Sequence, residues 1–539
     1  MITDCLYYVP AMINNNNYQY NSCVSKGICS VDPRTSSLQE ILLLYLKLCA
    51  YYVQELKNSN FEISLLKDIR NLVLDTISAM IANQEFSTDD FEIIVERYNL
   101  LIPKLIQEYE TSCKINKVEP VYYKSRLKYK KKTNLSKFIR MGEKEFLKRI
   151  QSTPKKINDI YIILFSVLKS ISITILGLKL YNIENKSGYS AILKVLNYLN
   201  NKEKNLDKIK NLLIETTKCD IALSKELRNE QENRYGKQVP TEVSFSTTPA
   251  KSILVVGSNL YELEKLLEAV KKEDIDVYTH DKMLLAHTFP KLREYKNLKG
   301  NYGKIAENCL LDFATFPGPI VLTKYSLYNI ENLYRGRLFT TDKTNTKGVM
   351  MINNYDFSPV IEAAKNMKGF KSGKSLTPQL AGFDNKIVSE EIKEKISSGK
   401  YKKVLIIGAE NNTTEWEKYF KEIYNKIPSD VLIISLSFDT GNKNVIFLNS
   451  NFDEFGLIKL IESIENITEL KTSVFIPECD IHTISSIIYL KTEYNFDIFI
   501  GKCSPIIINP ALFESLFDTF GMKNITTPKK DIENIISED

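Results

Sequence analysis

A chain of 539 residues is too long for a single hydrophobic core, so two to four domains are expected. Its 43% apolar and 26% charged content is that of a globular protein, and a net charge of +6 argues for solubility and against a dedicated nucleic-acid surface. Nine cysteines without framework spacing and no basic, apolar leader at Met1 predict reduced thiols in a cytoplasm.

Residues 1–35 read as irregular, with an Asn14–Asn17 run and the thiols Cys5, Cys23 and Cys29. From Ser36 the pattern turns helical: Leu38, Ile41, Leu42, Tyr45, Leu48 and Tyr52 recur at helical steps. Further helices are predicted over 63–81 and 88–108, the latter opening Thr88-Asp-Asp, a cap followed by acids that the helix dipole favours. Residues 122–149 are rich in lysine and tyrosine and read as a solvated basic connector rather than a nucleic-acid grip. Residues 160–180 are apolar enough to suggest a membrane span. Lys169 at their centre, punctuated by Ser166, Ser170, Ser172 and Thr174, favours a buried helix, because a charge at mid-bilayer costs a few kcal/mol. Helices continue to about residue 229, and Gly236, Pro240 and Pro249 mark a boundary.

After Ile253 the period changes. Short apolar runs at 253–256, 276–279, 319–323, 403–407, 430–436, 473–476 and 496–500 alternate with helical segments such as 261–271, 389–396 and 484–492. Alternating strands and helices imply parallel sheets. The reading is α + α/β: a cysteine segment (1–35), helical bundles (36–235), and two Rossmann-like α/β domains (236–380 and 381–539). Loops at the carboxyl ends of strands are where such folds keep their chemistry.

Several motifs point to chemistry without completing it. Gly369-Phe-Lys-Ser-Gly-Lys-Ser375 is one residue short of a phosphate loop and follows no apolar strand, so it reads as a surface loop. Val256-Gly-Ser-Asn before a helix is half of a nucleotide-binding turn. His280 and His287 lack a third zinc ligand. Glu478, Cys479, Asp480 and His482 gather ligand-type side chains near a strand end.

The chain resembles the hybrid-cluster proteins, also called prismane proteins or hydroxylamine reductases, relatives of carbon monoxide dehydrogenase. The likeness is carried by Cys23-Val-Ser-Lys-Gly-Ile-Cys29, Val277-Tyr-Thr-His280, Gly300-Asn-Tyr-Gly303, Phe316-Pro-Gly-Pro319, Arg337-Leu-Phe-Thr-Thr341 and Asp356-Phe-Ser-Pro-Val-Ile-Glu-Ala363, in family order. It implies a helical domain followed by two sheet domains, an N-terminal iron–sulfur cluster on four cysteines, and a hybrid iron–sulfur–oxygen cluster that reduces hydroxylamine or nitric oxide.

The same resemblance exposes departures. Gly257-Ser258-Asn259 stands where the family has Gly-His-Asp, and Lys282 stands where a carboxylate binds iron. Ser326, Ala409 and Leu436, within Ser435-Leu-Ser-Phe438, fall at thiolate positions. No cysteine occurs between Cys309 and Cys479. Asp480 is the one matching hybrid-cluster ligand. Iron bound to sulfide needs thiolates or imidazoles, so the hybrid cluster is not expected. Cys5, Cys23 and Cys29 match three ligands of the N-terminal 4Fe–4S cluster; Tyr8 stands where a fourth is due, which leaves Cys49 as a remote candidate. The expectation is a non-catalytic homologue that keeps the scaffold, with a redox partner or an active relative, and neither membrane nor nucleic acid. The alternatives are an iron–sulfur oxidoreductase reducing hydroxylamine or nitric oxide, or electron transfer through a residual N-terminal cluster.

Overall fold

The structure is a computed structural model. It describes residues 33–80, 88–123, 135–200, 205–303, 309–324, 333–342, 348–408, 414–450, 453–464, 466–477, 481–501 and 516–537. Cys5, Cys23, Cys29, Ser326, Ala409 and Asp480 lie outside them. The chain divides into two compact units, one of residues 1–223 with 505–519, the other of residues 224–504 with 520–539.

The first unit is helical. Helix α1 (Pro33–Asn58) is its centre, burying Leu38, Ile41, Leu42, Leu46 and Tyr45; Tyr45 stacks on Tyr98 of α3 (Thr88–Asn116) with ring centroids 4.9 Å apart. Helix α2 (Leu66–Ala79) joins this core, where Thr76 Oγ1 lies 2.9 Å from the Tyr98 hydroxyl. The basic connector expected over 122–149 is partly helix: residues Leu135–Ser152 form α4. The high lysine content hid an apolar stripe of Phe138, Gly142 and Phe146, which is buried. Gly142 lets α4 approach α1 closely, since a Cβ there would sit 2.0 Å from Ser37 O. Arg149 at the end of α4 donates to Glu40 Oε1 at 2.6 Å and to Asn158 Oδ1 at 2.8 Å.

The apolar segment forms helix α5 (Lys155–Leu180). It is long and apolar enough to cross a membrane, and 83% of its apolar window is buried. Its hydroxyls are satisfied locally: Ser166 donates to Ile162 O at 3.1 Å, Ser172 to Leu168 O at 2.8 Å and Thr174 to Ser170 O at 3.1 Å. Such bonds one turn back remove the penalty of burying them. Helices α6 (Lys186–Tyr198) and α7 (Leu206–Tyr235) follow.

The second unit holds two six-stranded parallel sheets. In the first, β2 (Lys251–Val256), β3 (Ile275–His280), β4 (Leu298–Asn301), β5 (Ile320–Leu322), β6 (Leu338–Thr340) and β7 (Val349–Met351) lie in the order β4-β3-β2-β5-β6-β7. In the second, β9 (Lys403–Ile407), β10 (Val431–Ser435), β11 (Val445–Phe447), β12 (Lys471–Ile476), β13 (Asp497–Ile500) and β14 (Lys523–Asn524) lie in the order β11-β10-β9-β12-β13-β14. Each sheet repeats one doubly wound topology, whose strand order reverses beside its first strand. The central strands are buried almost throughout, β2 from Ser252 onward, which is why their apolar runs are readable in the sequence. An antiparallel ribbon of β1 (Thr241–Val243) and β8 (Gln379–Ala381) completes the unit.

Candidate functional site

Register brings the informative residues to one edge of each sheet. Val256 is level with His280 on β3 and with Leu322 on β5. The residues after those strands, Gly257-Ser258, Asp281-Lys282 and Thr323-Lys324, therefore share the carboxyl edge, two of the three pairs flanking the point where strand order reverses. In the second sheet Ile407 is level with Ser435 on β10 and with Phe475 on β12. Leu436, just past β10, thus follows a strand with the same role as β3. The two edges meet through side chains. Leu284, two residues beyond Lys282, and Phe438, two beyond Leu436, pack in one cluster with Val243, Phe245 and Ala381.

At the first edge, Gly257 turns with φ +118°, a conformation open chiefly to glycine. Ser258 is exposed. Asn259 caps helix α8 (Leu260–Val270) by accepting from Glu262 N at 3.2 Å. Lys282 is half-buried in the 3₁₀ segment Asp281–Thr288. Leu436 is fully buried and donates its amide to Ile407 O at 3.0 Å. Its neighbours Ser435 and Ser437 share a buried hydroxyl contact of 2.8 Å.

The two histidines sit on opposite sides of this edge network and do not converge. His280 ends β3, with Nε2 3.0 Å from Asp312 Oδ2 of helix α9 (Cys309–Thr315) and its ring against Phe313. Gly303 (φ +83°) makes room for the pair, as a Cβ there would come within 2.2 Å of Asp312 Oδ2. His280 Nδ1 is buried without a hydrogen-bond partner. His287 lies 2.9 Å from Thr279 Oγ1, which also donates to Asn301 Oδ1 at 2.9 Å. Burial pushes the His287 imidazole down to about 4, so it serves as a neutral structural group at pH 7. His482 opens α14 (Ile481–Tyr494) beside Phe455, with centroids 5.8 Å apart.

Sequence reasoning did not single out Glu262. In the first turn of α8 it is 1% exposed, and Oε2 accepts from Lys324 N at 2.9 Å and from Thr341 Oγ1 at 2.7 Å. Thr341 lies in the Arg337–Thr341 motif, and that distant match is the signal that could have found the contact. Cys49 is fully buried in α1, and burial pushes its thiol up to about 12. It therefore remains a thiol at neutral pH in the metal-free chain. The stretch 369–375 is a loop laid on residues 247–250: Phe370 N donates to Ala250 O at 2.9 Å and Lys374 N to Thr247 O at 3.1 Å. Among the described residues, no three His, Cys, Asp or Glu side chains gather as a metal site.

A helical unit followed in sequence by two doubly wound parallel sheets is the fold of the hybrid-cluster class. The sequence matches the Prismane/CO dehydrogenase family over residues 16–440, and the chain belongs to that family. Relatives along nearly the full length are the hydroxylamine reductase of Thermodesulfovibrio yellowstonii, 26% identical over 96% of this chain and 98% of its own, and that of Rhodospirillum rubrum, 22% identical over 95% and 96%. Among solved structures, carbon monoxide dehydrogenase IV from Carboxydothermus hydrogenoformans aligns with a TM-score of 0.47 at 12% identity, covering 94% of this chain and 88% of that one.

Proposed function

We propose that this chain is a non-catalytic homologue of the hydroxylamine reductases, cytoplasmic, which keeps the hybrid-cluster scaffold and works through a redox partner or an active relative. The observation that carries this reading is the chemistry at the strand ends. Where the resemblance calls for an imidazole, a carboxylate and a thiolate, β2, β3 and β10 are followed by the hydroxyl of Ser258, the ammonium of Lys282 and the hydrocarbon of Leu436. An ammonium and a hydrocarbon offer no electron pair to iron at neutral pH, and a hydroxyl is a poor partner for iron–sulfide. Ser326 and Ala409 extend the same substitution, and Asp480 alone matches. This donor set does not fit a hybrid cluster, and no reductive step is derived through one. The name borne by the full-length relatives defines the activity to be assayed.

Iron and acid-labile sulfide analysis of the anaerobically purified chain, beside its Cys23→Ala variant, tests the reading. The expected result is a colourless protein with less than about one iron per chain and no hydroxylamine-dependent oxidation of a reduced dye. Broad visible absorption that survives Cys23→Ala would establish a cluster built on other ligands and overturn the proposal. Iron and sulfide lost in Cys23→Ala would instead assign an N-terminal 4Fe–4S cluster on Cys5, Cys23 and Cys29, and with it an electron-transfer role.

A further inference from the structure

Arg70 is a cation without a counter-charge. It lies half-buried on α2, its guanidinium carbon 5.3 Å from the ring centroid of the buried Tyr189 of α6. Its Nε is buried and has no hydrogen-bond partner. Among the described residues the Tyr189 ring is its one polar or aromatic contact. By contrast, Arg97 pairs with Asp75 at 2.7 Å and Arg149 with Glu40 at 2.6 Å. Asp68, two residues before Arg70, is exposed and projects about 200° away around the helix.

Two more cations share this corner. Lys179, in the last turn of α5, places Nζ 5.7 Å from the same ring centroid and donates to Asn71 Oδ1 at 2.7 Å. Lys57, in the last turn of α1, is the most exposed of the three. Partial burial, and after it the Arg70 charge, lowers its ammonium from the usual range. The helix dipole accounts for the lysines, because cations offset the negative carboxyl end of a helix. It gives no reason for Arg70, which stands toward the positive end of α2. Among the described residues none of the three is ion-paired, so their mutual repulsion is relieved by solvent alone. A buried guanidinium N–H without an acceptor adds to that cost. An oxyanion would answer both.

We propose that Arg70, flanked by Lys57 and Lys179, is a binding site for a phosphate group, carried by a small phosphorylated molecule or present as the free ion. A phosphate brings close to two charges near neutrality and three strong acceptor oxygens. That suits a guanidinium fork among ammonium groups better than a single carboxylate does. Arg70 takes two oxygens through Nε and a neighbouring Nη, Lys57 closes on the outer side, and Lys179, already held by Asn71, adds its charge. The site lies wholly within the helical unit and is independent of iron.

Titration of the full chain with inorganic phosphate and, separately, with glycerol 3-phosphate tests this by calorimetry. Ionic strength is held constant with chloride, which removes general screening. Saturable binding at one site is expected, with a dissociation constant below about 1 mM. Arg70→Gln should weaken it roughly tenfold or more, and Arg70→Lys by less, since it keeps the charge and loses the fork. Tighter binding of glycerol 3-phosphate assigns the site to a phosphorylated small molecule; equal or weaker binding assigns it to the free ion. Lys57→Gln keeps the test decisive if Arg70→Gln does not fold, with a loss of roughly threefold or more expected. Lys104→Gln, exposed on α3, is the control and should leave both titrations unchanged. Failure of both probes to saturate, or equal affinity in the natural chain, Arg70→Gln and Lys57→Gln, overturns the proposal. So does an equal loss in Lys104→Gln, which would reveal an effect of overall charge.

Discussion

Arg228→Ala is expected to destabilise the α/β unit by about 3–5 kcal/mol, the effect of removing one partner from a buried ion pair. Arg228 lies on α7 in the part that belongs to the second unit. Its guanidinium donates to Asp453 Oδ1 at 2.7 Å and to Gln238 Oε1 at 2.7 Å. The side chains of Arg228 and Asp453 are 16% and 2% exposed, so the charge left on Asp453 would have little water to turn to. Asp453 also caps helix α13 (Glu454–Glu462), accepting from Gly456 N at 3.0 Å. Gln238 in turn donates to Thr288 Oγ1 at 2.9 Å. One guanidinium therefore fastens a crossover helix of the second sheet, and through Gln238 the 3₁₀ segment beyond β3 that carries Lys282. Arg228→Lys keeps the charge and loses the two-pronged geometry, so an intermediate loss of about 1–2 kcal/mol is expected. Denaturant unfolding of both variants, with Asp453→Asn closing a double-mutant cycle, measures the coupling. A loss below about 1 kcal/mol for Arg228→Ala would show that the pair is solvated in the folded protein.

What the sequence made legible follows from what each feature depends on. The runs at 253–256, 403–407 and 473–476 declared themselves because a parallel strand covered on both faces needs apolar residues at every position. The carboxyl edges were legible in the same way, as turn residues after those runs. The two- and three-residue strands β1, β7, β8 and β14 left no trace, since so short a segment shows no period and exists only through its pairing partner. Helix α4 was obscured because its five lysines and arginines outnumber the buried stripe of Phe138, Gly142 and Phe146. Glu262 was invisible for a different reason. On the helical period of residues 260–270 it reads as one more surface charge, and its burial is created by Thr341, 79 residues further along. Arg228 likewise looked like one charge among many until Asp453, 225 residues away, closed over it. Long-range polar partners carry no local signature.

Gly318→Ala is expected to cost more than about 4 kcal/mol or to prevent soluble accumulation, a size of effect seen when backbone and backbone collide. A Cβ on Gly318 would lie 1.9 Å from Ser252 O and 3.0 Å from Ser252 C. Neither side can retreat cheaply. Ser252 is in β2, whose Leu254 amide donates to Pro319 O at 3.0 Å. The turn is held from the other side by Arg337, which donates to Phe313 O at 2.6 Å, to Ala314 O and Gly318 O at 3.2 Å, and to Phe316 O. Moving the turn away from β2 would break that clamp and expose carbonyls that are otherwise satisfied. Gly336→Ala is the control, because nothing lies within 4 Å of a Cβ there, and a change within about 0.5 kcal/mol is expected. Thermal unfolding and soluble yield of the two variants separate the cases. The result bears on what Phe316-Pro-Gly-Pro319 and Arg337 do in a chain whose strand ends, on the proposed reading, no longer bind iron. If Gly318→Ala is severe and Gly336→Ala is silent, these motifs serve the contact between the first and fourth strands of the sheet, which any descendant needs in order to fold. If Gly318→Ala is tolerated within about 1 kcal/mol, packing does not account for the motif, and a role for it at the carboxyl edge has to be sought.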